Sequence, residues 1–204
     1  MAEDAGADSL LIVTPPYNKP STNGLLNHFE SIAKAVNIPL CLYHVPGRTA
    51  QMLTVSQIEQ LCNIENVVAV KEASADIGFF SRCKNTAKAE FLTGDDPTYL
   101  ASLSVGGIGA ISVVSNVFPE AMVSMTNAFK KGDHKLALEY HSALLPFIDI
   151  LFCEANPGPT KAAFKMLGYG SDFVRAPLAL MESENLSKVE MVLAETKAKL
   201  DGIR

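Results

Sequence analysis

Five short apolar runs, Ser9–Val13, Pro39–Tyr43, Val67–Lys71, Glu90–Thr93 and Ile108–Val113, alternate with segments of helical periodicity, and this alternation limits the possible folds more than any other property. Between the first two runs, residues 24–36 place Leu25, Leu26, Phe29, Ile32, Ala33 and Val36 on one helical stripe. Residues 54–62 do the same with Val55, Ile58, Leu61 and Cys62, and residues 77–87 and 97–103 give shorter versions. Strand followed by helix roughly every 20 to 30 residues is the pattern of successive βα units around a parallel sheet. Runs such as Val67-Val68-Ala69-Val70, apolar at every position, predict strands buried on both faces.

Two arrangements accommodate five such units: an open doubly wound sheet, or part of an eight-stranded barrel. No G-x-G-x-x-G follows any of the runs, which weakens the dinucleotide-binding version of the open sheet. The cluster Gly106-Gly107-Ile108-Gly109 fits a close helix-to-strand approach better than a phosphate cradle. Beyond Val114 the strand signals stop. Helices are expected over residues 120–131, 133–153 with an interruption at Pro146, 159–167 and 185–200, giving a helical C-terminal appendage. At the other end, Ala2 to Asp8 reads as the last turn of a helix with Gly6 as its left-handed cap, so the chain opens inside a βα repeat.

Several functional classes are disfavoured. A net charge of -5 without any cluster of Lys or Arg offers no footprint for nucleic acid or an anionic membrane. No apolar stretch approaches a membrane span, and Met1-Ala2-Glu3-Asp4 lacks the regions of a signal peptide, so the cytosol is the expected compartment. Cys41, Cys62, Cys83 and Cys153 have no metal-ligand spacing and read as reduced, mostly core thiols. His28, His44, His134 and His141 are scattered, so neither a metal nor a cofactor is expected.

In a βα barrel the reactive groups come from the C-terminal ends of the strands and the loops after them. Those ends read Thr14-Pro15-Pro16-Tyr17-Asn18-Lys19-Pro20, Tyr43-His44-Val45-Pro46-Gly47-Arg48-Thr49, Lys71-Glu72-Ala73-Ser74, Thr93-Gly94-Asp95-Asp96, and Ile111-Ser112 to Ser115-Asn116. Lys71 is the unusual one. A lysine ending a buried strand is either turned out to water or held where burial disfavours the ammonium, leaving an amine able to attack a carbonyl. A Schiff-base enzyme needs an amine, a proton shuttle and a cation for an anionic substrate. Lys71, Tyr43 and Arg48 supply these three kinds of group from neighbouring strand ends, with Tyr17 a possible neighbour for the Tyr43 phenol. The plainer reading makes Tyr43 a core aromatic and Arg48 a surface charge, although Pro46 and Gly47 favour a fixed loop.

Together, Thr14 to Pro20, Leu42 to Thr49, Val68 to Ser74 and Gly106 to Ser112, in this order and spacing, resemble the dihydrodipicolinate synthase (4-hydroxy-tetrahydrodipicolinate synthase) family. The resemblance runs through essentially the whole chain. It implies condensation of pyruvate with aspartate 4-semialdehyde, in the diaminopimelate route to lysine. Matched position by position, it makes Lys71 the Schiff-base lysine, Tyr43 the proton relay, and Tyr17 the tyrosine reaching in from a neighbouring subunit. It makes Arg48 the ligand of the semialdehyde carboxylate, and Gly94 and Ile111 backbone contacts around bound substrate. The family works as a homotetramer, which implies a homo-oligomer here. Related lyases acting on N-acetylneuraminate or on 2-keto-3-deoxy sugar acids share the lysine and tyrosine, while Pro46-Gly47-Arg48-Thr49 favours the synthase.

The chain departs from the family pattern in two places. Pro16 stands where many bacterial members carry a second tyrosine used by the feedback inhibitor lysine, which implies weak or absent inhibition. The family barrel has eight strands and this sequence matches the last five. The expectation is therefore a partial (β/α)8 barrel over residues 1–118 and a helical region over 119–204, without the first three strands or the Gly-Thr-Thr-Gly-Glu-type loop that holds pyruvate's carboxylate. Five barrel strands leave two unpaired edges and an uncovered inner face, a state that favours association. A catalytically impaired paralogue or assembly subunit is the competing expectation.

Overall fold

A computed structural model describes residues 1–203. The chain divides into two compact units, Met1–Ile111 and Ser112–Arg204. The first contains strands β1 (Leu10–Val13), β2 (Leu40–His44), β3 (Val67–Glu72), β4 (Glu90–Thr93) and β5 (Gly109–Ala110). Its helices are α1 (Thr22–Ala35), α2 (Pro46–Thr49), α3 (Val55–Cys62), α4 (Ile77–Thr86) and α5 (Tyr99–Ser104).

All neighbouring strands pair in parallel and their spatial order equals their chain order. This order chooses between the two arrangements left open by the sequence. A doubly wound sheet reverses its strand order at a switch point, whereas a barrel adds each strand on the same side of the last. Right-handed crossovers then deliver every helix to one face. One core results, in which Leu25 and Phe29 of α1, Ile58 and Leu61 of α3, and Phe79 and Phe80 of α4 close over Leu40, Leu42, Val67, Val70 and Phe91 of the strands. Phe80 meets Phe91 edge-on at 5.6 Å between ring centroids, a geometry that aromatic quadrupoles favour.

Short polar caps start the crossover helices. The Ser21 hydroxyl accepts from Gly24 N–H before α1, and Asp76 accepts from Phe79 N–H at 2.8 Å before α4. Thr54 and Gln57 form a reciprocal capping box before α3.

The strands of this unit differ from expectation in two respects. They are not buried on both faces: β3, whose pairing with β2 shifts register between Leu40 and Cys41, has Val70 sealed, Lys71 half-buried and Val68 50% exposed, and on β1 Leu11 and Val13 are also exposed. The helices cover one face only, so an all-apolar run need not mean two-sided burial. The fifth strand, expected over residues 108–113, is only Gly109–Ala110. Glycines at 106, 107 and 109 give it little to pack, and the chain after it turns into a 3-10 segment at Val114–Asn116, where the Ser112 hydroxyl accepts from Ser115 N–H at 3.0 Å. The close approach expected of the glycine cluster is present, since a Cβ on Gly107 would lie 2.8 Å from the Ser102 carbonyl oxygen.

The second unit holds α6 (Pro119–Lys130), α7 (His134–Ile150), α8 (Gly158–Met166) and α9 (Ser183–Asp201). The expected break at Pro146 does not occur. α7 runs through it with Leu144, Phe147 and Ile148 buried, so packing outweighs the one lost backbone bond. The helical region is expected from residue 119, and the division between the two compact units falls after Ile111. No helix among the described residues is long and apolar enough to cross a membrane.

Candidate active site

Parallel register aligns the ends of β2 and β3: Tyr43 pairs with Lys71, and His44 with Glu72. Because side chains alternate along a strand, each pair occupies one face. Tyr43 and Lys71 lie on the face away from the helices, both half-buried, and Lys71 Nζ sits 4.0 Å from the centroid of the Tyr43 ring. Amine and aromatic ring are thereby in direct contact. Full sequestration of Lys71 is not observed.

Gly94 closes the space beside them. A Cβ at this position would lie 2.5 Å from Lys71 Cε and 2.9 Å from Ala73 Cβ, so only glycine leaves the lysine side chain its path. The Gly94 amide donates to the Glu72 carbonyl at 2.6 Å, and the Ile111 amide donates to the Thr93 carbonyl at 2.9 Å. These bonds continue the sheet ladder past the strand ends, fixing Gly94 beside β3 and Ile111 beside β4.

Arg48 lies on α2, where the sequence predicts a fixed loop and the structure forms a single helical turn. Pro46 begins it, with φ pre-set and no N–H to satisfy. Ala50 ends it in the left-handed conformation, φ 60°, with its amide donating to the Pro46 carbonyl. The Arg48 side chain is exposed. Tyr17 is 89% exposed, with φ 69°, and its amide donates to the Thr49 carbonyl at 3.3 Å, which ties the turn after β1 to α2. Lys71, Tyr43 and Gly94 are thus clustered, Ile111 lies beside β4 on the far side from Lys71, and Arg48 and Tyr17 stand on adjoining loops with their side chains in solvent.

Left-handed φ values at Tyr17, Lys19, Ala50 and Ala75 place non-glycine residues in a costly region in the loops after β1, β2 and β3. Such positions cost about 1–3 kcal/mol each and collect where loop shape serves function. Two nearby thiols are shifted away from reactivity. Burial pushes the Cys41 thiol up, against the opposing pull of Lys71. Burial, with the Glu72 carboxylate adding to it, pushes Cys83 up to about 12.

The sequence reading missed His44 and Glu72. Both are buried, and His44 Nδ1 lies 3.0 Å from Glu72 Oε1. A signal was available: each directly follows a candidate site residue, so period-two alternation turns both into the core on the opposite face. Among the described residues no group of three or more His, Cys, Asp or Glu is placed to hold a metal ion.

The profile of the Dihydrodipicolinate synthetase family matches residues 1–196. A curated 4-hydroxy-tetrahydrodipicolinate synthase of Methanosarcina acetivorans is 44% identical over 191 residues, covering 92% of this chain and 66% of the relative. One from Acidiphilium cryptum is 40% identical over 204 residues, covering 99% of this chain and 68% of the relative. The chain therefore spans about two-thirds of the length of the curated relatives it matches. Among solved structures, the 4-hydroxy-tetrahydrodipicolinate synthase of Methylacidiphilum fumariolicum superposes with a TM-score of 0.94 at 35% identity, over 99% of this chain and 68% of that one. The dihydrodipicolinate synthase of Acinetobacter baumannii, solved with pyruvate, gives a TM-score of 0.89 at 34% identity, over 100% and 69%. With the profile spanning nearly every residue and the same fold in these relatives, the chain belongs to the dihydrodipicolinate synthetase family.

Proposed function

We propose that this protein acts as a 4-hydroxy-tetrahydrodipicolinate synthase, joining pyruvate to L-aspartate 4-semialdehyde through a Schiff base on Lys71. The observation that carries the reading is Lys71 Nζ 4.0 Å over the Tyr43 ring at paired strand ends, in a chain 44% identical to a curated synthase.

In this reaction the Lys71 amine adds to the keto carbon of pyruvate, and the carbinolamine loses one water to give an iminium. Loss of a methyl proton produces the enamine, whose carbon attacks the aldehyde of the second substrate, and the resulting alkoxide takes a proton. The amino group of the bound semialdehyde then displaces Lys71 from the imine carbon, closing the ring and returning the free amine. One water leaves overall and no oxidant is required. Tyr43 is assigned to hand protons on and off these intermediates, since a phenol can donate and accept. Arg48 is assigned to the carboxylate of the semialdehyde, where a guanidinium offers a two-pronged partner. Gly94 and Ile111 supply backbone around the bound substrate. Tyr17, extended into solvent, is assigned to a neighbouring subunit of a homo-oligomer. The acidic charge balance supports an enzyme of small molecules, and the cytosol is the compartment proposed for it.

Treatment with pyruvate and borohydride, followed by peptide mass spectrometry, tests the nucleophile. A reduced adduct on Lys71, absent in Lys71→Met, is the expected outcome, and a folded protein without any adduct overturns the reading. Turnover of the semialdehyde, set against N-acetylneuraminate and 2-keto-3-deoxy sugar acids, tests the substrate. Lysine added to the same assay should inhibit weakly, given Pro16.

A further inference from the structure

We propose that the buried pair His44–Glu72 positions the active site, holding the Lys71 strand end with one ring nitrogen and the Arg48 loop with the other. This rests on the reading of Lys71 as the Schiff-base nucleophile.

The hydrogen bonds fix the form of the imidazole. The Leu53 amide donates to His44 Nε2 at 3.1 Å, so that nitrogen carries a lone pair, and the proton is on Nδ1, which donates to Glu72 Oε1 at 3.0 Å. The same carboxylate oxygen accepts from the Ser74 amide at 2.8 Å, and the Ala73 amide donates to the His44 carbonyl at 2.9 Å. The ring is fully buried and tilted against Phe79 at 5.4 Å between centroids. In such surroundings each unmade bond would strand a buried polar group, so the geometry is strongly held.

Each arm ends at a different part of the site. Through Glu72 the ring grips β3 at the residue after Lys71 and the turn that leaves it. Through Leu53 it grips the segment that follows α2. The helical turn before that segment receives the Tyr17 amide at the Thr49 carbonyl, and Gln51 Nε2 donates to the Pro20 carbonyl at 2.8 Å, so anchoring it also anchors the loop after β1. One imidazole therefore sets the nucleophile and the loops bearing Arg48 and Tyr17 in a common frame. Neither His44 nor Glu72 faces the substrate side, which makes them positioning residues.

Two amide substitutions separate the arms. In His44→Asn the new side-chain amide nitrogen reaches the place of Nδ1 and keeps Glu72 but not Leu53. In His44→Gln the new amide oxygen reaches the place of Nε2 and keeps Leu53 but not Glu72. In His44→Asn the KM for the semialdehyde should rise about tenfold while the rate of borohydride trapping with pyruvate stays near wild type. His44→Gln should slow trapping about tenfold and leave that KM near wild type, with Glu72→Leu acting in the same direction. Amide hydrogen exchange reads the arms without any turnover. Leu53 should lose protection in His44→Asn, and Ser74 in His44→Gln. Equal changes in both variants, no change in either, or loss of protection throughout the sheet would overturn the proposal. Should the wild type fail to trap pyruvate, the Schiff-base reading falls, and the exchange pattern still decides whether the two arms exist.

Discussion

The two faces of β2 and β3 ask different things of adjacent residues. On the helix-covered face Leu40, Leu42 and Val70 are sealed, and the polar side chains admitted there, His44 and Glu72, bond to each other. On the other face Tyr43 and Lys71 are half-buried and in contact, with Val68 exposed farther down the strand. In the reading proposed above, a step of one residue along the chain moves from a group that reacts to a group that holds the reacting group in place. A period of two lets one strand end serve chemistry and stability at once, without either face compromising the other.

The contrast can be tested from its strongest point downward. Leu42→Ala removes a fully buried side chain from the covered face and should cost about 2–5 kcal/mol of unfolding free energy, read by urea denaturation. Trapping of pyruvate per folded molecule should be unchanged, and a loss of trapping in the folded fraction would show that the faces are coupled. Gly94→Ala acts on the other face. Its Cβ would push Lys71 aside and should slow trapping on the order of 10²-fold, with a smaller effect on stability. Unaltered trapping would mean that Lys71 has a second path to substrate.

Thiols give a finer measure. Burial pushes Cys62 and Cys83, both on the covered side, up to about 12, while Cys153 is exposed. At pH 8.5 a thiol reagent should label Cys153 first and reach Cys62 and Cys83 only on unfolding. The two buried thiols stay protonated in the native state, so between about pH 9 and 12 the unfolded chain binds fewer protons and stability falls as pH rises. The smallest effect is expected at Val68→Thr, within about 0.5 kcal/mol, because half of that side chain already meets solvent. A loss well above this would mean that the open face is covered in solution.

The βα rhythm is legible in the chain alone, because apolar spacing follows the local period of each element and needs no knowledge of neighbours. Lys71 and Tyr43 are legible too, since both stand at strand ends and their chemistry is carried by residue type. Other features come from packing. Strand order 1-2-3-4-5 selects the barrel-type arrangement over the doubly wound one, a choice made by which strands meet and not by any local pattern. Register places Tyr43 against Lys71, and the open face shows that four apolar residues in a row can line a strand with only one side sealed. His44 and Glu72, 28 positions apart, become a pair only when β2 lies beside β3. Gly94 illustrates the same division. Its lack of a side chain is plain in the sequence, but the lysine that needs the space arrives from another strand. Local periodicity is written in the chain, whereas contacts between distant residues exist only once hydrogen bonding and burial have fixed which strands lie side by side.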